Sequence, residues 1–400
     1  MKIIYTAHQF FPEYGAGTET LAYETAKGMM NRGHTVFVFT GYPVEGSSER
    51  CESFDRYEYK GLPVERFFHA NGRSIDPKNP MEAEYNNRIF ARYFEKRLYQ
   101  IRPDIVHFYH LQRISASPID VCCRVGIPTV FTATDFWPLC PTNQLLLPNQ
   151  RTCEGPDPDM VNCVRHLAYA FQGKGAAFAL RCVPGRLLGG TIHRLEKAGG
   201  WTGSFRYLDM VKALTRRTEY MRERLNRVSR TLVPTDFMAQ VLKRFGMDSG
   251  KIVKLPFGMD CGAIHRDGPK GNQESLRVGF IGTLYPHKGA HVLLQAVSLL
   301  SRDLPLEVKL YGSLQQFPDY VEKLRRIAGG DPRIQFCGTF PNRRIGEVFS
   351  NLDLLALPSL WHENSPLVLH AAQAAGVPVA VSRVEGLKEM IEDGGNGLFF

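Results

Sequence analysis

The feature that most constrains this chain is a regular alternation between short apolar runs and helix-like segments, which continues along all 400 residues. The apolar runs include "KIIYTA", "HTVFVFTG" and "PTVFTATD" in the first part and "LRVGFIG", "LEVKLYG" and "VPVAVS" in the second. Strands that are apolar on both sides are typical of parallel sheets covered by helices on both faces. The alternation therefore predicts an α/β fold with doubly wound, Rossmann-like sheets.

The length of the chain predicts two such sheets. A chain of 400 residues exceeds the roughly 250 to 300 residues at which a single hydrophobic core stops growing. Apolar periodicity lapses at "MDCGAIHRDGPKGNQES", residues 259–275, where Gly, Asp and Lys accumulate. We therefore expect two domains, 1–258 and 275–400, whose strand-end loops face each other across a cleft.

The positive charge of the chain is concentrated in one segment. Residues 164–230 contain 14 Lys or Arg against 4 Asp or Glu, whereas the net charge of the whole chain is +9. A basic, partly apolar segment suits an anionic membrane surface, where each Lys or Arg contributes about 1 kcal/mol. It equally suits helices with solvated charged faces, and nucleic acid is the least favoured partner. We assign it to a helical insert at about 140–230 in the first domain.

The start of the chain and its cysteine content both favour the cytoplasm as the compartment of this protein. The apolar run Ile3-Ile4-Tyr5 follows Met1-Lys2 without a basic leader or a cleavage site, so we expect no export. Nine cysteines, an odd number, favour a reducing environment over a disulfide framework. We expect a cytoplasmic protein, peripheral at the inner face of the membrane if the insert docks there.

A zinc site is a weak alternative for part of the insert. A Cys₃His set is available in Cys140, Cys153, Cys163 and His166, but it includes no C-x₂-C pair. Buried thiols without a metal are the simpler interpretation.

Ligands of open α/β sheets bind beyond the carboxyl ends of the strands, so the loops there are where chemistry is expected. After the first run, Gly15 and Gly17 precede a predicted helix. Their amides suit an anion such as a diphosphate, although a plain strand-to-helix turn accounts for them equally well. In "GFIGTLYPHKG", Lys288 lies at another predicted helix start, where its charge opposes the helix dipole unless an anion is bound. We therefore predict a diphosphate site at Lys288, in preference to a solvated surface lysine.

Together these features resemble a known family. The two α/β domains, the glycine loop, "GTLYPHKG" and "PSLWHENSPLVLHAAQAAGVPVAVS" are similar to the retaining glycosyltransferases of family 4, which have the GT-B fold and use nucleotide-sugar donors. The resemblance covers nearly the whole chain except the basic insert. It is strongest over 279–400, where "IEDGGNGLFF" also matches.

The resemblance implies roles for residues of the donor site. Of the family's two glutamates, seven residues apart, the first contacts the hydroxyls of the donor sugar and falls on Glu363. The second usually binds the nucleotide ribose, and Ala371 occupies its place. Further donor contacts are implied at Gly15, Gly17, Gly282, Thr283, Lys288, Thr339, Phe340, Ser365, Leu367 and Val368.

On the acceptor side, the resemblance implies that His110 contacts a sugar and that Asp135 lies beside the acceptor path. Thr134 stands where many members have a histidine, and Thr283 where many have an arginine. The chain ends at Phe400, before the final helices that in the family cross back to the first domain.

The implied reaction moves a sugar from a UDP- or GDP-linked donor to a glycan or lipid-linked acceptor hydroxyl, with retention. Lys288 and the helix ends would stabilise the departing diphosphate without a metal or other cofactor. The catalytic candidates are Glu363, Lys288, His110 and Asp135. A sugar-nucleotide 2-epimerase of the same fold is one alternative. A non-catalytic nucleotide- or glycan-binding subunit is the other, and it would explain Ala371 and Thr283.

Overall fold

The computed structural model describes residues 1–43, 54–69, 79–197, 206–262, 264 and 274–400. The chain divides into two compact units. Unit 1 comprises Met1–Pro148, Cys153–Pro234 and Met238–Leu255, and unit 2 comprises Asn149–Thr152, Thr235–Phe237 and Pro256–Phe400. Each unit is an α/β domain with a parallel sheet, as predicted. Most of the segment 259–275, where we expected the domain boundary, lies outside the described residues.

Eight strands form the sheet of unit 1 within its described residues. They are β1 (Lys2–Ala7), β2 (Thr35–Pro43), β3 (Phe54–Tyr59), β4 (Leu62–His69), β5 (Ile105–Phe108), β6 (Thr129–Thr132), β7 (Arg230–Val233) and β8 (Ile252–Lys254). Their order is β3-β4-β2-β1-β5-β6-β7-β8. Neighbours are parallel except β3 and β4, which are antiparallel at the edge. In β1, five consecutive residues are buried, because both faces of a central parallel strand are covered.

The helices of unit 1 connect these strands. Within the described residues they are α1 (Gly17–Asn31), α2 (Pro80–Tyr85), α3 (Arg88–Ile101), α4 (Ser117–Val125), α5 (Val161–Cys182), α6 (Gly185–Lys197), α7 (Arg206–Leu225) and α8 (Asp236–Arg244), the last of which begins in unit 2. Among these, α5, α6 and α7 fall in the segment 140–230, and α5 and α6 share a small apolar cluster with Leu214 of α7. No helix in the described residues is long and apolar enough to cross a membrane.

Six strands form the sheet of unit 2 within its described residues, and every neighbouring pair is parallel. They are β9 (Leu276–Ile281), β10 (Leu306–Tyr311), β11 (Ile334–Gly338), β12 (Leu354–Leu357), β13 (Val379–Val381) and β14 (Leu398–Phe399). Their order is β11-β10-β9-β12-β13-β14. The helices are α9 (Ala290–Ser298), α10 (Pro318–Ala328), α11 (Ile345–Ser350) and α12 (Leu367–Ala374).

Among the described residues of unit 2, two apolar clusters form the core. One joins Phe280 and Leu310 of the sheet to helices α9 and α10. The other joins Leu355 and Val379 to helices α11 and α12. Since each cluster has its own pair of helices, the sheet is covered twice, which is the doubly wound arrangement that the apolar strands predict.

Candidate functional site

In unit 2, a glycine brings the loop after β9 close to the segment after β12. The residues Pro286–Lys288 form one short 3₁₀ turn, and Gly289 follows in the left-handed conformation with φ +75° at the start of α9. A Cβ atom on Gly289 would lie 1.7 Å from the carbonyl oxygen of Pro358. Only glycine fits such a backbone conformation and approach. The contact places Lys288 beside the segment that carries Glu363.

Lys288 and Glu363 form a partly buried ion pair. The ammonium Nζ of Lys288 lies 2.8 Å and 3.0 Å from the two carboxylate oxygens of Glu363. The hydroxyl of Ser359 and the indole N–H of Trp361 also donate to Oε1 of Glu363, at 2.6 Å and 2.9 Å. Glu363 is only 4% exposed, so these donors replace water around its charge.

The charge state of this cluster is set by competing effects. Burial acts to raise the pKa of Glu363, but the Lys288 ammonium and the hydrogen bonds from Lys288, Ser359 and Trp361 outweigh it and hold the pKa below its ordinary value of 4.5. Burial, with the nearby Lys288 charge, lowers the pKa of His287 to about 3. At neutral pH, the cluster therefore contains a carboxylate and a neutral imidazole.

The other predicted donor contacts of unit 2 lie along the same edge of its sheet. Gly282 and Thr283 follow β9, Thr339 and Phe340 follow β11, and Leu367 and Val368 begin α12. The ring of Phe340 packs 5.5 Å from that of Tyr311, and Ser365 Oγ lies 2.8 Å from Nε2 of His370. The carboxyl ends of parallel strands meet at one edge, which is where such sheets bind ligands.

Ala371 lies in the apolar core. It is 0% exposed and belongs to the cluster that includes Leu355 and Leu369. A glutamate at this position would therefore place its carboxylate in apolar surroundings unless the side chain finds a route to the sheet edge.

In unit 1, His110 and Asp135 form a second pair at the ends of neighbouring strands. Nε2 of His110 lies 2.6 Å from Oδ2 of Asp135, and Nδ1 of His110 accepts from the amide of Gln112 at 3.0 Å. The amide of Trp137 donates to Oδ1 of Asp135 at 2.9 Å. His110 is 3% exposed, and both of its ring nitrogens have partners within the described residues.

The glycine loop of unit 1 is open at Gly17, whereas a Cβ atom on Gly15 would lie 2.7 Å from the ring of Phe11. Gly15 and Gly17 are exposed, and a Cβ atom on Gly17 would meet nothing within 4 Å. The N-cap of α1, Ala16, provides no side-chain hydrogen bond. The amides at this helix start are therefore not capped by the residue that precedes them.

The zinc alternative finds no support in this geometry. The side chains of Cys140, Cys153, Cys163 and His166 line one cavity. However, no group of three or more Cys, His, Asp or Glu side chains in the described residues is arranged to hold a metal ion. Instead, Cys140 Sγ lies 3.2 Å from the hydroxyl of Thr142 and Cys153 Sγ accepts from the amide of Gly155 at 3.4 Å.

Two residues that donate hydrogen bonds to Glu363, Ser359 and Trp361, were not predicted from the sequence. Ser359 and Trp361 precede Glu363 by four and two residues in "PSLWHENS". Two polar side chains at i−4 and i−2 of a candidate carboxylate, in the loop after a buried strand, are the signal that could have indicated them. The Lys288 ammonium also lies 4.8 Å from the centroid of the Trp361 ring, a cation–π contact.

Comparison with known proteins gives two family matches. Residues 275–400 match the family described as "Glycosyl transferases group 1", and residues 15–155 match the family described as "Glycosyltransferase Family 4".

Individual relatives and structures agree with these matches. The D-inositol 3-phosphate glycosyltransferase of Corynebacterium urealyticum is 34% identical over 128 residues, which are 30% of this chain and 30% of that protein. The protein of the same name from Corynebacterium efficiens is 31% identical over 177 residues, 40% of this chain and 42% of that protein. The chain thus spans less than half the length of these curated relatives. The crystal structure of Anabaena Alr3699/HepE in complex with UDP and glucose is similar over 100% of this chain and 85% of that one, with a TM-score of 0.63 and 16% identity.

Proposed function

We propose, from the premise that this chain belongs to the group 1 glycosyltransferases and has their GT-B fold, that it transfers a sugar from a nucleotide-diphosphate donor to an acceptor hydroxyl. We further propose that the anomeric configuration is retained. The observation that carries the proposal is the Lys288–Glu363 pair, which holds an ammonium at the ligand-binding edge of the unit 2 sheet.

The ammonium of Lys288 suits a leaving diphosphate. Negative charge builds on that group as the bond to the sugar breaks, and a fixed cation stabilises it without reorganisation. Glu363 keeps the ammonium in position, and Trp361 covers it. Structures of HepE contain UDP and UDP-glucose, which favours a UDP-linked donor over a GDP-linked one.

Glu363 also has the capacity to bind the sugar. Among the described residues, its Oε1 accepts from three donors, whereas its Oε2 accepts only from Lys288 at 3.0 Å. A carboxylate oxygen accepts at least two hydrogen bonds. Oε2 is therefore the atom that would receive a sugar hydroxyl.

Turnover tests this proposal. UDP-glucose, UDP-galactose and GDP-mannose are incubated with the protein, nucleotide release is measured, and the anomeric configuration of the product is read by NMR. Removal of a charge-stabilising donor lowers kcat by about 10²- to 10³-fold, so Lys288→Met should show that loss and Lys288→Arg a smaller one. An inverted product would refute retention. A folded protein that binds a nucleotide but releases none from any donor would instead support the non-catalytic subunit.

In unit 1, we propose that Asp135 faces the acceptor and that His110 holds it. The proposal is supported by the exposure of the two side chains, 15% for Asp135 and 3% for His110, and by their 2.6 Å contact. Asp135→Asn should therefore impair transfer more than donor binding, and kcat and the donor KM measured separately would show this.

The acceptor that we propose is a glycan or a lipid-linked glycan at the inner, cytoplasmic face of a membrane, as in cell-surface polysaccharide synthesis. Large apolar side chains are exposed on the basic helices α5 and α6, namely Tyr169 at 44%, Phe178 at 70% and Leu187 at 65%. Basic helices with exposed apolar residues bind anionic lipid surfaces.

Flotation with vesicles tests the membrane proposal. Vesicles that contain phosphatidylglycerol should carry the protein to the top of a gradient, and pure phosphatidylcholine vesicles should not. The double variant Phe178→Ser with Leu187→Ser should lose flotation. Recovery of the wild-type protein only in the soluble fraction would reject membrane docking.

A further inference from the structure

Beyond strand β1, unit 1 buries a polar atom that has no hydrogen-bond partner. Nδ1 of His8, which directly follows β1, has none within the described part of the chain. Glu19, in the first turn of α1, is 0% exposed and lies beside the His8 ring. Each buried polar atom left unpaired costs about 1–3 kcal/mol. Native proteins keep few of them, and a ligand or catalytic role is a common reason.

His8 and Glu19 belong to one cluster with the His110–Asp135 pair. Nε2 of His8 lies 3.4 Å from Oε1 of Glu19, and the ring centroids of His8 and His110 are 4.2 Å apart. Both nitrogens of His110 are engaged by Asp135 and by the amide of Gln112. Of these two neighbouring imidazoles, His8 is therefore the one with a nitrogen left for a ligand.

The cluster lies where a ligand can approach. His8 and His110 follow the neighbouring strands β1 and β5 at their carboxyl ends, the edge at which open α/β sheets bind ligands. The His8 side chain is 14% exposed and that of Asp135 is 15% exposed, whereas Glu19 is fully covered. Of this pair, His8 is thus the residue nearer to the surface, although its Nδ1 atom is itself buried.

The neutral state of the His8 ring suits a hydroxyl group. Burial, and then the neighbouring His110 and Arg113, lower the pKa of His8 well below its ordinary value of 6.5. Burial also raises the pKa of the Glu19 carboxyl. A neutral imidazole nitrogen without a proton accepts a hydrogen bond, and an O–H group is the donor that a sugar or polyol offers.

We propose that His8 is an acceptor-binding residue that receives a hydroxyl group of the acceptor substrate at Nδ1, and that Glu19 is a positioning residue that holds the His8 ring. The inference rests on the proposed function, in which the acceptor presents a hydroxyl group. It adds the residue pair that binds this group, on the same edge as Asp135.

Two amide variants of His8 separate the two nitrogens. Asparagine places its amide oxygen near the position of Nδ1, whereas the longer glutamine reaches the position of Nε2. With UDP-glucose as donor and D-inositol 3-phosphate or octyl β-D-glucoside as acceptor, His8→Asn should keep the acceptor KM within about 3-fold of the wild type. His8→Gln should raise it by about 10-fold or more, which corresponds to one lost hydrogen bond. The donor KM should stay unchanged in both, and His34→Asn, at the opposite edge of the sheet, serves as the matched control.

Glu19 is tested by rescue. Glu19→Gln keeps the shape and a polar contact to His8 and should retain most activity, whereas Glu19→Leu should reproduce the loss seen in His8→Gln. Circular dichroism and binding of UDP-glucose confirm that each variant is folded.

The outcomes distinguish the inference from the proposed function. Equal acceptor KM values in the wild type and both His8 variants would overturn the role of His8, as would equal losses in both. Donor hydrolysis by the wild type without use of either acceptor would also overturn it. A wild-type protein that neither hydrolyses nor transfers the sugar would overturn the proposed function itself.

Discussion

At the scale of single residues, the central feature is an ion pair whose partners are 75 positions apart in the sequence. Glu363 keeps its charge in a buried position because three side chains donate to it, and Lys288 is held there as a consequence. A buried pair of this kind contributes little net stability, since its desolvation cost offsets its attraction. We therefore propose that this pair, at the carboxyl-end edge of the sheet, acts in donor binding rather than in folding.

A substitution at Ala371 tests how that position is used. Ala371 is 0% exposed within an apolar cluster, so Ala371→Glu should bury a carboxylate at an effective cost of several kcal/mol. We expect a clear fall in the melting temperature and weaker donor binding. The matched control is Ala374→Glu on the same helix, where the side chain is exposed and stability should hardly change.

The opposite result would show that the position serves the donor. Ala371→Glu would then have the same melting temperature as the wild type and would bind UDP-glucose more tightly. Such a result would mean that the new carboxylate contacts the nucleotide, as the second glutamate of the family does.

At the scale of elements, the connection from β9 to α9 determines the site. Gly289 combines a left-handed backbone conformation with close approach to Pro358, and Lys288, which pairs with Glu363, directly precedes it. The site depends on this turn as much as on its charged residues.

Two glycine substitutions distinguish the cost of a left-handed backbone conformation from the cost of a clash with Pro358. Gly330 has φ +74° with open space around it, whereas Gly289 has φ +75° and the carbonyl oxygen of Pro358 in the way of a Cβ atom. Gly330→Ala should lower the free energy of unfolding by about 1–2 kcal/mol, the cost of a left-handed non-glycine residue. Gly289→Ala should cost clearly more and also weaken donor binding. Equal losses in urea denaturation would show that the contact with Pro358 is unimportant.

The buried strands could be predicted from the sequence, and there is a physical reason why the edge strand β3 could not. The buried parallel strands read as continuous apolar runs, which is why both sheets were expected. The edge strand β3, "FDRYEY", was missed because an exposed antiparallel edge carries alternating polar residues and no apolar run.

The site was predictable in part for the same kind of reason. Lys288 and Glu363 stood out by position in their loops, but their pairing depends on the Gly289 contact, which local patterns do not encode. The His8–Glu19 cluster was missed because nothing in the loop sequence shows that Glu19 points inward.

At the scale of the whole molecule, buried neutral histidines should make the protein acid-sensitive. Burial lowers the pKa of His107 in unit 1 to about 3, and burial with the Lys288 charge lowers that of His287 in unit 2 to about 3. The unfolded chain takes up a proton at each near pH 6.5 while the folded protein does not, so stability present above pH 6.5 is lost as the pH falls from there towards 3. Each histidine adds a slope of at most about 1.4 kcal/mol per pH unit.

Melting temperatures between pH 7.5 and pH 4.5 check this. The wild type should melt at lower temperature with each step below pH 6.5, and His107→Gln should flatten that dependence, whereas His34→Gln should not. A melting temperature that is constant from pH 7.5 to pH 5 would contradict the burial of neutral imidazoles in the two units.

Calorimetric titration of the whole protein with UDP-glucose tests the central claim most directly. If Lys288 binds the diphosphate of the donor, Lys288→Met should lose about 1.5–3 kcal/mol of binding free energy, which is a rise in Kd of roughly 10- to 150-fold. The Kd of Lys288→Arg should lie between that of Lys288→Met and that of the wild type. A wild type that binds no nucleotide sugar, or a Lys288→Met variant with an unchanged Kd, would contradict the account.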